Sequence, residues 1–302
     1  MVAKVFVDGA VGTTGLQIEA RLAGRRDIEL VSLPEEFRKD SGARKDMLAS
    51  VDIAILCLPD AAAVEAADMV AGTSTRLIDA STAHRTHPDW CFGFEELTAG
   101  QGAKIAAAKL VSNPGCYSIA AISLLRPLRE AGVLGADHPV SIGGLSGYTG
   151  GGKSLIAEFE GEDAPVGFVY GTTQTHKHLP EIKAHGLLDR MPIFSPSVGS
   201  FAQGMIVQVP FHLDQLAGSP SRETLHASLK SFYAGSRNVE VAGLTDEPAR
   251  LDPEMMNDTD KMRLFVLGSQ GQGTVVLAAV LDNLGKGASG SAVQNLELML
   301  GA

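Results

Sequence analysis

Cys116 is the side chain best placed to do chemistry. In Ser112-Asn113-Pro114-Gly115-Cys116-Tyr117-Ser118 a turn-forming Asn-Pro-Gly precedes it, which puts its sulfur at the start of the next helix. Aligned peptide dipoles and free N–H groups favour a thiolate there, and a thiolate is the nucleophile that acyl transfer requires. The other two cysteines read as packing residues: Cys57 lies in an apolar strand, and Cys91 lies between Trp90 and Phe92. In Thr175-His176-Lys177-His178-Leu179-Pro180-Glu181, two imidazoles share one side of an extended segment. His176 and His178 could serve as acid/base groups, as metal ligands or as a structural pair. Zinc takes three or four ligands; His185 is near in sequence, but no cysteine joins the pair at zinc spacing, so no metal is expected. Arg85, in Asp79-Ala80-Ser81-Thr82-Ala83-His84-Arg85, follows a strand end, where a guanidinium could hold a phosphate or simply face solvent.

Two glycine turns could hold anions. Gly9-x-x-Gly12-x-x-Gly15 lies between a strand and a helix, with Thr13 and Thr14 as possible hydroxyl donors. Residues without Cβ let backbone N–H groups and the helix N-terminus reach a phosphate, which favours a dinucleotide over a plain tight turn. The second strand ends Leu30-Val31-Ser32-Leu33 without an acid for a ribose hydroxyl, and Arg38 and Lys39 follow. That tilts the cofactor towards NADP, although Glu35 stands about where an acidic ribose ligand would fall. The second turn, Gly147 to Ser154, fits GxxxxGK[ST]. Read as the phosphate loop of a nucleotide hydrolase, it would use Lys153 on phosphates, Ser154 on Mg²⁺ and Asp282 as a further metal contact.

The elements that must position these groups fall into two patterns. Up to about residue 115, strands at 3–7, 28–33, 52–58 and 76–80 alternate with helices at 16–23 and 61–71, which predicts a doubly wound parallel sheet. After it a helix is expected over 118–131, kinked or ended near Arg126 by Pro127. Strands at 140–144, 205–213, 239–244, 263–267 and 274–281 and a helix at 222–233 predict an α+β second domain, with a last helix over 291–300.

Composition narrows the partners. A net charge of −10 lacks the basic balance that a nucleic-acid backbone attracts. The longest apolar run, Val275 to Leu281, is far short of the ~20 residues that span a bilayer, so no membrane is expected. No secretory signal is visible at the start, and three cysteines cannot form a disulfide framework, so a cytoplasmic protein is expected.

Four segments in order, GAVGTTG at 9–15, NPGCY at 113–117, THKHLPEI at 175–182 and GKGASGSAVQN at 285–295, resemble the N-acetyl-gamma-glutamyl-phosphate reductases, particularly their shorter class. The likeness runs nearly end to end; the wider family, which includes aspartate-semialdehyde dehydrogenase, shares only some of these pieces. The resemblance implies NADPH-dependent reduction of N-acetyl-L-glutamyl 5-phosphate to the 5-semialdehyde, with phosphate release through a cysteine thioester, as a cytoplasmic step of arginine biosynthesis. An aspartate-semialdehyde dehydrogenase-like activity is the alternative. By position, Cys116 becomes the nucleophile and His176 the catalytic imidazole, with Asn113, Arg85, Tyr170 and His178 on the substrate. Gly9, Gly12, Thr13, Thr14, Gly15, Ser32, Arg38, Ser146, Gly147 and Asn283 fall to the cofactor. The implied architecture is α/β: a Rossmann-like NADP-binding domain, 1–115 joined by a C-terminal helix at 286–302, and an α+β catalytic and oligomerisation domain, 116–285. A homodimer or homotetramer is implied.

Overall fold

The computed structural model describes residues 2–246 and 248–301, and they form two compact units. The first runs to Pro114 and takes back the chain from Ala288 onward. Its strands are β1 (Ala3–Asp8), β2 (Ile28–Val31), β3 (Ile53–Leu56), β4 (Arg76–Asp79), β5 (Cys91–Phe92) and β6 (Leu110–Ser112), all parallel, in the order β2-β1-β3-β4-β6-β5. Helices α1 (Thr13–Leu22), α2 (Ser41–Ser50), α3 (Asp60–Met69) and α4 (Gln101–Ala107) connect them. β1 and β3 are buried on both faces, so their apolar run is divided by alternation. Val5, Val7, Ile53 and Ile55 enter one core with Ile18 and Leu22 of α1; Phe6, Ala54 and Leu56 enter the other with Leu48, Ala63 and Ala66.

The second unit, Gly115–Gly287, begins with α5 (Cys116–Glu130). Its sheet is mixed: β7 (Ser141–Gly147), β8 (Gly167–Val169), β9 (Ile193–Gly199), β10 (Met205–His212), β11 (Val239–Val241), β12 (Met262–Leu267) and β13 (Thr274–Leu281) lie in the order β11-β12-β13-β10-β7-β9-β8. Helices α6 (Gly152–Phe159), α7 (Leu179–His185) and α8 (Arg222–Phe232) complete it, and α5 packs on β10, β13, α7 and α8. The chain's last helix, α9 (Gly290–Leu300), belongs to the first unit, where it packs on α1 and α4 and puts Ala292, Leu296 and Met299 into the core. Arg76 holds its end by donating to the Met299 carbonyl at 2.6 Å. Among the described residues no helix is long and apolar enough to cross a membrane.

Of the kink or end expected at Pro127, the end does not occur, and α5 runs on past it. A proline ring lacks the N–H that would bond the carbonyl four residues back. That carbonyl belongs to Ser123, and the Tyr233 hydroxyl donates to it instead at 2.9 Å, so the helix runs on to Glu130 with its buried acceptor satisfied. Tyr233→Phe should therefore cost about 1–3 kcal/mol, the penalty of an unbonded buried carbonyl, seen as a lower urea midpoint at unchanged slope. An unchanged midpoint contradicts this account of the proline.

Candidate active site

The first glycine turn has the shape that a dinucleotide pyrophosphate needs. Gly9 adopts φ +88°, and a Cβ on it would lie 2.3 Å from the Cys57 carbonyl oxygen, so this position admits glycine alone. Gly15 lies against the loop it closes: its Cβ would stand 2.6 Å from the Gly9 oxygen. Gly12 has nothing nearer than 3.5 Å, which leaves its side open to an approaching ligand. It is also the N-cap of α1 and offers no side chain to the first-turn N–H groups, where Thr13 and Thr14 begin the helix. Tight turn, open approach and close helix packing are the three uses of glycine in a dinucleotide turn. Ser32 and Arg38 are exposed beyond β2. Behind the turn, Asp8 at the end of β1 is buried and accepts at one oxygen from Arg44 Nη2 (2.8 Å) and Nε (3.1 Å).

In the same unit Arg85 is buried and donates to the Ala80 carbonyl at 3.1 Å. Its loop is fixed by the fully buried Asp79, which accepts from the Ser81 N–H, the Ser81 hydroxyl and His84 Nδ1, and by the His84 ring stacked 4.0 Å above Trp90. Asn113 has both ends of its amide engaged: it donates to the Ala288 carbonyl and accepts from Asn295.

In the second unit Cys116 is the first residue of α5, with Gly115 as an N-cap that has no side chain to offer. The dipole and first-turn N–H groups of a fifteen-residue helix therefore face the sulfur's position uncapped. The Gly115 N–H itself is held at 3.3 Å by Oε2 of Glu181, a buried acid on α7. Gly287 lies against the cysteine, and a Cβ there would stand 2.8 Å from Cys116 Cβ. The other two thiols are disabled by burial, which pushes Cys57 up to about 12, with Asp79 and Asp8 adding to the effect, and raises Cys91.

His176 sits among aromatic rings: Phe194 at 5.1 Å, Tyr170 at 5.6 Å and Tyr117 at 6.2 Å, with the His178 ring edge-on at 4.7 Å. Burial, with the Lys177 cation beside it, pushes its imidazole down to about 4. The segment is a turn entering α7 and not the extended segment expected from sequence, since the Leu179 N–H bonds the His176 carbonyl. The buried Tyr117 phenol donates to the Ser197 carbonyl at 3.0 Å, and its ring lies so close on β7 that a Cβ at Gly144 would stand 2.5 Å from it. Burial pushes the Tyr170 phenol up to about 12, with Cys116 acting in the same direction.

The rival phosphate loop does not hold. The N–H groups of Tyr148 and Thr149 bond the Phe201 and Ala202 carbonyls, so the loop backbone offers no cradle there, and Lys153 is exposed on α6. Asp282 is fully buried and accepts from Gln203, the Asp258 N–H and the Leu284 N–H, which leaves it no metal to hold. Beside it Asn283 accepts from the Gly204 N–H and donates to Thr149, while Ser146 is buried and donates to the Gly147 carbonyl. Among the described residues no three His, Cys, Asp or Glu side chains cluster as a metal site. Glu181 and Tyr117 were not among the residues that sequence reasoning assigned a role. Both stand inside the motifs at 113–117 and 175–182, but only their burial distinguishes them.

Residues 116–283 match the family described as semialdehyde dehydrogenase, dimerisation domain, and residues 34–105 match its NAD binding domain. A protein of Brucella anthropi named N-acetyl-gamma-glutamyl-phosphate reductase is 56% identical over 306 residues, covering 99% of this chain and 98% of that one. One of Rhizobium rhizogenes with the same name is 54% identical over 310 residues, covering both chains completely. Among solved structures, aspartate semialdehyde dehydrogenase II of Vibrio cholerae, complexed with ASA, superposes with a TM-score of 0.74 at 16% identity, over 99% of this chain and 98% of that one. The Candida albicans enzyme with NADP gives 0.66 at 14%, over 99% and 98%. Those structures share the fold; the identity along the whole length places the chain more narrowly, and it belongs to the N-acetyl-gamma-glutamyl-phosphate reductase family of semialdehyde dehydrogenases.

Proposed function

We propose that this chain reduces N-acetyl-L-glutamyl 5-phosphate to N-acetyl-L-glutamate 5-semialdehyde with NADPH, releasing phosphate, in the cytoplasmic synthesis of arginine. The observation that carries the chemistry is a cysteine as first residue of an uncapped helix, with an imidazole beside the neighbouring tyrosine. The Cys116 thiolate adds to the acyl carbon, the carbonyl oxygen becomes negative, and its collapse expels phosphate and leaves a thioester. NADPH, when bound, supplies the hydride that brings this thioester to the aldehyde level. The thiohemiacetal oxyanion on Cys116 then collapses to aldehyde and thiolate, with the His176 imidazole assigned to the oxygen that carries the charge before each collapse.

Gly9, Gly12, Thr13, Thr14 and Gly15 would hold the pyrophosphate, Ser32 and Arg38 the ribose 2′-phosphate, and Ser146, Gly147 and Asn283 would shape the nicotinamide end. Arg85 is assigned to the substrate phosphate, and Asn113, Tyr170 and His178 to the rest of the substrate. The second unit is assigned to pairing of subunits: one face of its sheet leaves Gln208, Pro210, His212 and Ile193 exposed, and light scattering should give a mass of two or four chains.

The reverse reaction tests the reading: N-acetylglutamate semialdehyde, phosphate and NADP⁺ should yield NADPH absorbance, and aspartate semialdehyde should not replace the acetylated aldehyde. No signal from folded protein would overturn the assignment. Because Cys57 and Cys91 are raised by burial and stay protonated at neutral pH, iodoacetamide should label Cys116 first and abolish turnover in step. Inactivation that follows Cys57 contradicts this. Arg85→Ala removes a charge-assisted contact of about 1.5–3 kcal/mol, so the KM for inorganic phosphate should rise tenfold or more while NADP⁺ binding stays near normal. An unchanged phosphate KM would move the phosphate site elsewhere.

A further inference from the structure

The backbone around His176 decides which of its nitrogens carries the proton. Nδ1 accepts a hydrogen bond from the His178 N–H at 3.2 Å. A ring nitrogen that accepts from an N–H presents a lone pair, and a neutral imidazole has one proton, so that proton is on Nε2. Taking up a second proton would set an Nδ1–H against the His178 N–H and lose that bond. The groups around the ring favour the same state. Tyr117 of α5, Phe194 of β9, Tyr170 and His178 give it no negative partner, and Lys177 adds a cation. Glu181, the buried acid of α7, is bonded to the Gly115 N–H at the start of the cysteine helix.

We propose, resting on the reaction assigned above, that His176 acts as a neutral donor with its proton fixed on Nε2. It stabilises the oxygen that turns negative and is not the base that deprotonates Cys116. The resting nucleophile is then a thiolate supported by the start of α5, its proton already released to water. When the thiolate adds to the acyl carbon, the carbonyl π pair moves onto oxygen and meets the Nε2–H. The pair returns as the carbon–oxygen bond to phosphate breaks. The same oxygen turns negative again when the thioester is reduced, and its second collapse breaks the carbon–sulfur bond. The one proton consumed per turnover comes from water and ends on the released phosphate. His176 finishes each cycle as it began, a donor throughout.

Two measurements on the full chain need no substrate and so fail independently of the reaction assignment, whose own failure would appear as absent NADPH formation in the unaltered protein. In nitrogen-15 spectra of histidine-labelled protein, assigned by the signal missing in His176→Gln, Nδ1 should be unprotonated and Nε2 protonated at neutral pH. A protonated Nδ1 there overturns the proposal. The pH at which Cys116 alkylation reaches half its maximal rate should be the same in unaltered protein and in His176→Gln. A rise of a pH unit or more on substitution would reveal an ion pair and overturn it. In turnover, His176→Ala should lose about 10²–10³-fold, the usual loss for one oxyanion donor. His176→Gln, whose amide N–H can donate but cannot carry a proton between groups, should recover at least tenfold of that loss; a glutamine variant no better than alanine contradicts the donor role.

Discussion

The start of α5 is the constraint on which the site rests. A helix leaves its first N–H groups without intrahelical partners, and here the N-cap is a glycine that supplies none, so a positive end is kept open at a buried position. Holding it there requires support from outside the helix. Glu181 ties the Gly115 N–H to α7, and the helix body is buried against β10 and β13. Close approach does the rest. Gly287 lets a backbone pass within contact of the cysteine, and Gly144 lets the Tyr117 ring lie on β7. Neither position has room for a methyl group without displacing its neighbour.

Several polar groups buried in this unit are satisfied by bonds that also hold loops in place. The Ser123 carbonyl left by Pro127 goes to Tyr233; Asp282 gathers Gln203 and two backbone N–H groups; Asn283 joins Gly204 to Thr149. An unmade bond at any of these acceptors would carry the desolvation cost of a buried polar atom, which makes each loop position strongly preferred. In the other unit Asp79 does the same for the loop of Arg85. Rigid loops of this kind keep reactive groups in register with little entropy left to lose on binding.

Local signals were legible where one element's own residues decide its structure. The strand, glycine turn and helix at the start of the chain, the cysteine at the head of a helix, and β13 over Thr274–Leu281 all follow from short patterns, and each is found. Signals failed where a distant residue decides. Pro127 reads as a kink or an end because Tyr233, which takes up the carbonyl it leaves, is more than a hundred residues away. The phosphate-loop pattern at 147–154 is formally complete, yet the carbonyls of Phe201 and Ala202 have already taken two of its N–H groups, those of Tyr148 and Thr149. β9 escapes because serine, proline and glycine make up most of it, and β8 because it is only three residues long; pairing of β9 with β7 and of β8 with β9, not propensity, makes them strands. Of the candidate site, the place of Cys116 at the head of a helix could be read from its turn, whereas the burial of Glu181 and Tyr117 could not.

The central claim is a covalent one: the acyl group passes through the sulfur at the head of α5. It is tested most directly by mixing the protein with N-acetylglutamyl phosphate in the absence of any nicotinamide cofactor and following phosphate release and intact mass together. The account predicts a burst approaching one phosphate per chain, matched by an acyl adduct that maps to the peptide containing Cys116 and is released by hydroxylamine. Phosphate released without an adduct, or an adduct carried by Cys57 or Cys91, would contradict it.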